Sequence, residues 1–403
     1  MRYEMFTDTQ LERYADVLLW GLKTARKGSL NQGEIFLVRY NLPAVKLAEV
    51  LQARLLDMGM NPVMRTDATP EMEKQFFDFS NPQQLVFQPP GEKAFYRHLN
   101  GSIFLHAPEA ITHLSHIDSN KIAKAAIARK YIRDILEKRE EQALFSWTLC
   151  MFPTKALAKH AGLSQRSYAD QIIKSCFLNK RSPTDEWKRI FRNASEIKAW
   201  LNSMQVHHYH IESRQMDLEI TPGEHRRWIG ISGHNIPSFE LFLSPDWRGT
   251  RGVYHANQPS YRSGNLVKGV TIRFKKGNAV EIKAKKGLEF IQKQLSMDQG
   301  ANKVGEFSLT DKRFSKINRF MANTLFDENY GGTYGNCHIA LGASYSDTYD
   351  GDTSTLTRKI KSKLGFNDSA LHWDLVNTEQ KQVTAHLKDG QKTVIYEGGK
   401  FTY

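Results

Sequence analysis

The stretch that decides the fold is EIFLVRYNLPAVKLAEVLQARLLDMGMNPVMRTD, Glu34 to Asp67. Its opening EIFLVRY (34–40) reads as a buried strand. After Pro43, VKLAEVLQARLLDMG has apolar residues at helical spacing and stops at Gly59, the usual residue for a left-handed cap. NPVMRTD (61–67) is a second strand. Strand, helix and strand joined by short turns predict a right-handed crossover and a parallel pair.

Upstream, residues 8–30 predict an opening helix capped by Asp8 or Thr9, because Leu11, Tyr14, Ala15, Leu18, Leu19 and Leu22 form one stripe. Downstream, the alternation continues with a helical piece over 71–79, a strand in SIFLHAP (102–108) and a long helix over 119–142. FSWTLCMFPT (145–154) adds a strand, and TKALAKHAG a short helix stopped by Gly162. This is the pattern of an open α/β sheet, without the G-x-G-x-x-G of a dinucleotide loop. Near residue 203 the pattern changes. VHHYHIESRQMDLEITPGEHRRWIGISG alternates polar and apolar residues, with Pro-Gly as a turn, and NLVKGVTIRFKKGNAVEIKA contains a Lys-Gly-Asn hairpin turn. Helices are expected in KGLEFIQKQLSM and around 311–325. The fold class is α/β plus α+β: an open-sheet domain over 1–202, then a mixed or antiparallel domain over 203–403.

At 403 residues the chain exceeds one ordinary core. Three cysteines, widely spaced and odd in number, give no disulfide framework and fit a reducing cytoplasm. The N-terminus mixes charge into its apolar positions, unlike a signal peptide, and no apolar run reaches the ~20 residues of a membrane span. The net charge of +13 is spread along the chain. Its densest segments, KAAIARKYIRDILEKREE and IRFKKGNAVEIKAKKG, read as solvated helix and strand faces, so neither nucleic acid nor membrane is an expected partner.

The chemistry concentrates in the last third. NIPSFELF carries Glu240, KVGEFSL carries Glu306, LFDENYGGTYGNCHIALGASY carries Glu328, His338 and Tyr345, and NDSALHWDL carries His372 and Asp374. Singly, each has an ordinary reading: a glutamate facing water, a first-turn carboxylate, a satisfied core histidine. Together they are a donor set for two divalent cations, since carboxylates bridge ion pairs and neutral imidazoles hold borderline ions. His372 and Asp374 share one face of a strand. Gly331, Gly332 and Gly335 indicate close backbone approach beside His338. Tyr345, seven residues on, shares a face with His338 if the segment is helical, and its phenol can serve an oxyanion. His207, His208 and His210 are an exposed strand by the same alternation. Ser232-Gly233-His234 lacks the G-x-S-x-G elbow, and no H-E-x-x-H occurs.

In order and separation these motifs resemble the thermophilic-type metallo-aminopeptidases, the aminopeptidase T and aminopeptidase S family, over nearly the whole chain. The resemblance implies that Glu240, Glu306, Glu328, His338, His372 and Asp374 hold two divalent ions (Zn, Co, Mn or Mg). It implies that Glu306 bridges them or acts as base, and that Tyr345 is the active-site tyrosine. A short peptide with a free N-terminus is the implied substrate, and a homodimer the implied assembly. Two departures leave open the alternative of a non-catalytic binding or regulatory protein on the same fold. Phe239, where the family often has glycine, is expected to crowd the metal approach. A long YGGTYGN segment is expected to carry Glu328 away from the ions.

Overall fold

The computed structural model describes residues 5–26 and 28–403, and its architecture is mixed α/β. Ile35–Tyr40, Asn61–Thr66, Gly101–His106 and Ser146–Met151 form a parallel sheet, with Asn61–Thr66 at one edge and Ile35–Tyr40 next to it. The short strand Asn235–Ile236 from the second half adds itself parallel to Ser146–Met151. The Val45–Asp57 helix between the first two strands buries Leu47, Ala48, Leu51 and Leu55, which is the expected crossover.

The opening helix spans Asp8–Ala25 and buries the expected stripe. Its cap is Thr7 rather than Asp8 or Thr9: Thr7 and Gln10 satisfy each other's backbone N–H groups in a capping box. It ends before residue 30 because Arg26 leaves the helix to form a buried, bidentate pair with Glu34, at 2.7 and 3.0 Å. Lys27, inside the expected helix, and Met1–Glu4, part of the N-terminal segment, lie outside the described residues. The expected 119–142 helix is broken at Arg129 into Ser119–Ala128 and Lys130–Glu141. The first piece buries Ile122, Ala123 and Ala125. The second buries none of its residues fully; it is placed by partial packing of Leu136 on Leu37, Leu99 and Phe145 and by ion pairs at both ends. Two helices that no motif announced, Gln165–Ser175 and Pro183–Ser203, follow.

In the second half an eight-stranded sheet is antiparallel at every pairing. Lys276 and Gly277, both at positive φ, make the expected hairpin turn. The Pro222-Gly223 turn lies beyond the first hairpin, which pairs Val206–Ser213 with Asp217–Ile220. The helix expected around 311–325 is absent except for Thr324–Asp327. Side chains there take over the backbone groups a helix would have used. Asp311 accepts from the Arg313 and Phe401 N–H groups, and Asp327 from those of Met321 and Asn323.

A second antiparallel sheet of four strands runs in the order His372–Asn377, Asn336–Gly342, Val304–Thr310, Glu240–Leu243. The two middle strands are buried along their whole length. One face is apolar, with Leu241, Phe307, Ile339, Trp373 and Leu375 buried on it. Phe307 meets Tyr209 of the eight-stranded sheet at 6.1 Å, and the Tyr254 hydroxyl from that sheet donates to the Leu375 carbonyl.

The segment leading into Asn235–Ile236 touches the opening helix backbone to backbone at Gly233 and Gly21. Gly233 has a φ of +90°, and a Cβ there would fall onto the Gly21 carbonyl. Gly233→Ala is therefore expected to cost at least ~2 kcal/mol, read as a lowered urea midpoint.

Candidate metal centre

On the other face of the four-stranded sheet, alternate residues bring the polar groups together. Ser308 stands opposite His338, Ala340 opposite both Glu306 and Asp374, and Thr310 opposite Glu240. The small Ala340 leaves the space in which carboxylates from both flanking strands approach His338. Glu328 arrives from outside the sheet, on the short helix tied down through Asp327, with its carbonyl held by Thr310 and Asn336.

The distances are short. His338 Nε2 lies 3.0 Å from Glu306 Oε1, 3.3 Å from Glu240 Oε2 and 3.8 Å from Asp374 Oδ1. His372 Nε2 lies 3.5 Å from Asp374 Oδ1 and 3.9 Å from Glu306 Oε2. Donor atoms of Glu240, Glu306 and His338 lie within 4.8 Å of one another, as do those of Glu328, His338 and Asp374. Glu240, Glu306, Glu328 and His338 are each at most 5 % exposed. Further side chains orient them. Ser308 donates to Glu240 at 2.8 Å and Asn235 to Glu328 at 3.1 Å. The Ala343 carbonyl accepts from His372 Nδ1 at 2.9 Å, which leaves Nε2 bare toward the cluster.

The electrostatics are those of crowded anions. Burial pushes Glu240 and Glu306 up to about 8, against the pull of His338 and His372. Burial, and then Asp374 and Glu240, push Glu328 well above the carboxylate range. Burial opposes ionisation of Asp374 too, yet the neighbouring His372 brings it down to about 2. A site that must otherwise be filled with protons, lined by oxygen and imidazole donors and supported by hydrogen bonds behind them, fits divalent cations.

All six expected donors thus meet in one place. Tyr345 meets them too, for a different reason from the one expected. His338 is on a strand, not a helix, and Tyr345 lies in the turn beyond it, its ring 4.7 Å from that of His372. Neither departure from the family pattern disturbs the site. Phe239 points away from Glu240, fully buried and stacked on Trp187 at 5.2 Å. The YGGTYGN segment folds back at Gly331, whose N–H meets the Ile317 carbonyl, and Glu328 remains in the cluster. His207, His208 and His210 are on the eight-stranded sheet, exposed or half-buried, with no part in this site.

A cavity of about 490 Å³ opens on the cluster. The sequence reading missed several of its walls. Glu137, Glu140 and Glu141 come from the Lys130–Glu141 helix, Lys198 from the Pro183–Ser203 helix, and Arg227 and Trp147 also face it. Ser232 and His234, set aside for want of an elbow, form a relay there: Ser232 Oγ to His234 Nδ1 at 2.8 Å, and His234 Nε2 to Glu140 at 2.7 Å. Only Ser308 left a signal, since it is two residues from Glu306 on one strand and so shares its face.

A buried carboxylate–imidazole centre below a cavity is a donor set suited to a metal-dependent enzyme. The match to the family model of the thermophilic metalloproteases (M29) runs over residues 7–401, and the chain belongs to that family. Aminopeptidase T of Thermus thermophilus is 30 % identical over 297 residues, 69 % of this chain and 70 % of that protein. Aminopeptidase 2 of Geobacillus stearothermophilus is 27 % identical over 305 residues, 71 % and 70 % of the two chains. The solved structure of wild-type AmpT from Thermus thermophilus superposes with a TM-score of 0.78 at 23 % identity, covering 98 % of this chain and 99 % of that one, and so shares the fold. Among the described residues no helix is long and apolar enough to cross a membrane.

Glu240 and Glu306 bind protons more tightly folded than at their ordinary value of 4.5. Between that value and about 8 the metal-free fold holds more protons than the unfolded chain, so its stability falls as pH rises through this window. The urea midpoint of metal-stripped protein is expected to drop from pH 5 to pH 8, and saturating zinc or manganese to restore it at pH 8. An unchanged midpoint on adding the ions contradicts the metal reading.

Proposed function

We propose that the protein is an aminopeptidase that removes the first residue of short peptides bearing a free α-amine, using two divalent ions held by Glu240, Glu306, Glu328, His338, His372 and Asp374. The observation that carries this reading is that Glu306 and Asp374 each reach both imidazoles. Two carboxylates standing between two separate nitrogen donors are the arrangement that bridging requires. The ions, when bound, supply Lewis-acid polarisation of the scissile carbonyl and acidify the attacking water.

The chain's own residues do the rest. Glu306, between the two imidazoles, is assigned as the acceptor of the water's proton. The Tyr345 phenol stays protonated, because burial and then the Glu306 charge raise its pKa well above the usual value. It is therefore a donor, and beside His372 it is placed to hydrogen-bond an oxyanion forming at the cluster. Asn235 and Ser308 fix Glu328 and Glu240. A cavity of about 490 Å³ suits a chain end better than the middle of a folded polypeptide. A homodimer belongs to the same proposal on the family resemblance, and a cytoplasmic location on the three widely spaced cysteines, none of them paired.

Two outcomes test it. Chelation should abolish hydrolysis of dipeptides, cobalt, zinc, manganese or magnesium should restore it, and N-acetylated counterparts should resist; equal rates on free and acetylated peptides would point to another amidase. Tyr345→Phe should lower kcat by ~10²–10³ with metal content unchanged, whereas His338→Ala should lose metal first. Metal stoichiometry measured beside kcat on one preparation separates the two.

A further inference from the structure

The cavity walls are not evenly compensated. Glu137 and Glu141 are both paired with Lys361, at 2.8 and 2.6 Å, and Glu140 with His234 at 2.7 Å. Lys198 is the exception. Its half-buried ammonium donates to the Gly230 carbonyl at 3.1 Å and lies 4.9 Å from the Phe191 ring centre. Among the described residues no carboxylate is within ion-pairing distance of it. Its charged neighbour is another cation, Arg227, and burial together with that neighbour pushes its pKa down to about 8. Arg227 donates from Nε and Nη2 to the Asp347 carbonyl, a backbone acceptor that leaves its charge uncancelled by that bond. The Asp347 carboxylate lines the same cavity, where its charge acts on Glu306 and His234. A half-buried ammonium with no carboxylate partner beside a second cation is still costly unless an anion joins them.

Their position relative to the cluster is fixed by the backbone. Ile229 exchanges both hydrogen bonds with Phe242, and Gly230 packs so closely on the Glu240 carbonyl that a Cβ would clash. The Lys198 ammonium, on the Gly230 carbonyl, is thus one strand away from the strand that carries Glu240. Arg227 is anchored two residues beyond Tyr345. Lys198 and Arg227 line the same cavity as Glu240, Glu306 and His372, and an extended peptide advances ~3.3 Å per residue, so a short peptide with its carbonyl at the cluster can present its C-terminus to that wall.

We propose that Lys198 and Arg227 receive the free C-terminal carboxylate of a di- or tripeptide, and so confine the enzyme to peptides of that length. This rests on the aminopeptidase reading above. A planar guanidinium beside an ammonium suits a carboxylate, and on the facing wall Glu137, Glu140 and Glu141 are each held by a basic partner.

The test compares Ala-Leu and Ala-Leu-Ala with their C-terminal amides on metal-loaded protein, reading the ratio of kcat/KM for acid over amide. The wild type should favour the acids by roughly 10–100-fold, mainly through KM. Lys198→Met should bring the ratio close to one, and Lys198→Arg should keep most of it. A wild-type ratio near one, or a ratio unaltered in Lys198→Met, overturns the assignment. Because the ratio cancels the fraction of active protein, a variant that merely folds poorly does not imitate the effect. If no peptide is cleaved by metal-loaded wild type, the aminopeptidase reading fails on its own. The same acid-to-amide comparison, read as Kd by calorimetry, then decides the role of Lys198.

Discussion

Everything near the centre depends on one constraint: four carboxylates are packed around a single buried imidazole, where none of them can be fully hydrated. Such a group is unstable as a set of anions, because each buried charge loses its water and repels its neighbours. The fold supplies partial relief through His338, His372, Ser308 and Asn235. The remainder is relieved by protons or by cations, and the two compete. The raised proton affinity of the glutamates and the proposed metal affinity are therefore two expressions of the same crowding.

The four-stranded sheet makes that crowding affordable by having two unlike faces. Its apolar side is held to the larger sheet through Phe307 and Leu375, and through Trp373 to Phe290 and Ser260, so the strands cannot spread to separate the charges. Its polar side has Ala340 at the middle position, flanked by Glu306 and Asp374 in register. A larger residue there would hold the carboxylates apart. Rigid apolar packing on one side is what allows the other to be electrostatically strained, which is the usual requirement for a preorganised site.

How much of this was legible in the sequence depended on whether a residue's partners were local. The 34–67 crossover was readable because periodicity, proline and glycine all lie within it. His372 and Asp374 were readable as a pair because alternation alone places them on one face. The end of the opening helix was not, since Arg26 leaves it for Glu34 and that bond has no local signature. Residues 311–325 looked helical, yet carboxylates of Asp311 and Asp327 took the backbone donors. Phe239 illustrates the limit of family comparison. Its neighbour in sequence is a cluster carboxylate, but its neighbour in space is Trp187, and only the latter determines whether it obstructs anything. Lys198 and Arg227 carried no motif at all, because a site wall assembled from separate elements has no spacing to recognise.

The break at Arg129 gives the last step. Had 119–142 continued as one helix, its second half would have extended the direction set by Ile122 and Ala125. Broken, it swings the Glu137–Glu141 end over the cavity, where Lys361, Ser346 and His234 from the second half meet it. Lys130 fixes the other end on Asp368 at 2.9 Å. This wall contributes no fully buried side chain; Leu136 packs only partly buried against Leu37, Leu99 and Phe145, and polar bonds hold its cavity end. Partly exposed ion pairs are individually weak, on the order of 0–1 kcal/mol each. The element closing the cavity is thus held largely by polar bonds, while the element bearing the charges is held by buried apolar packing. A hydrolase that must admit a polar substrate and then exclude water needs that division of labour.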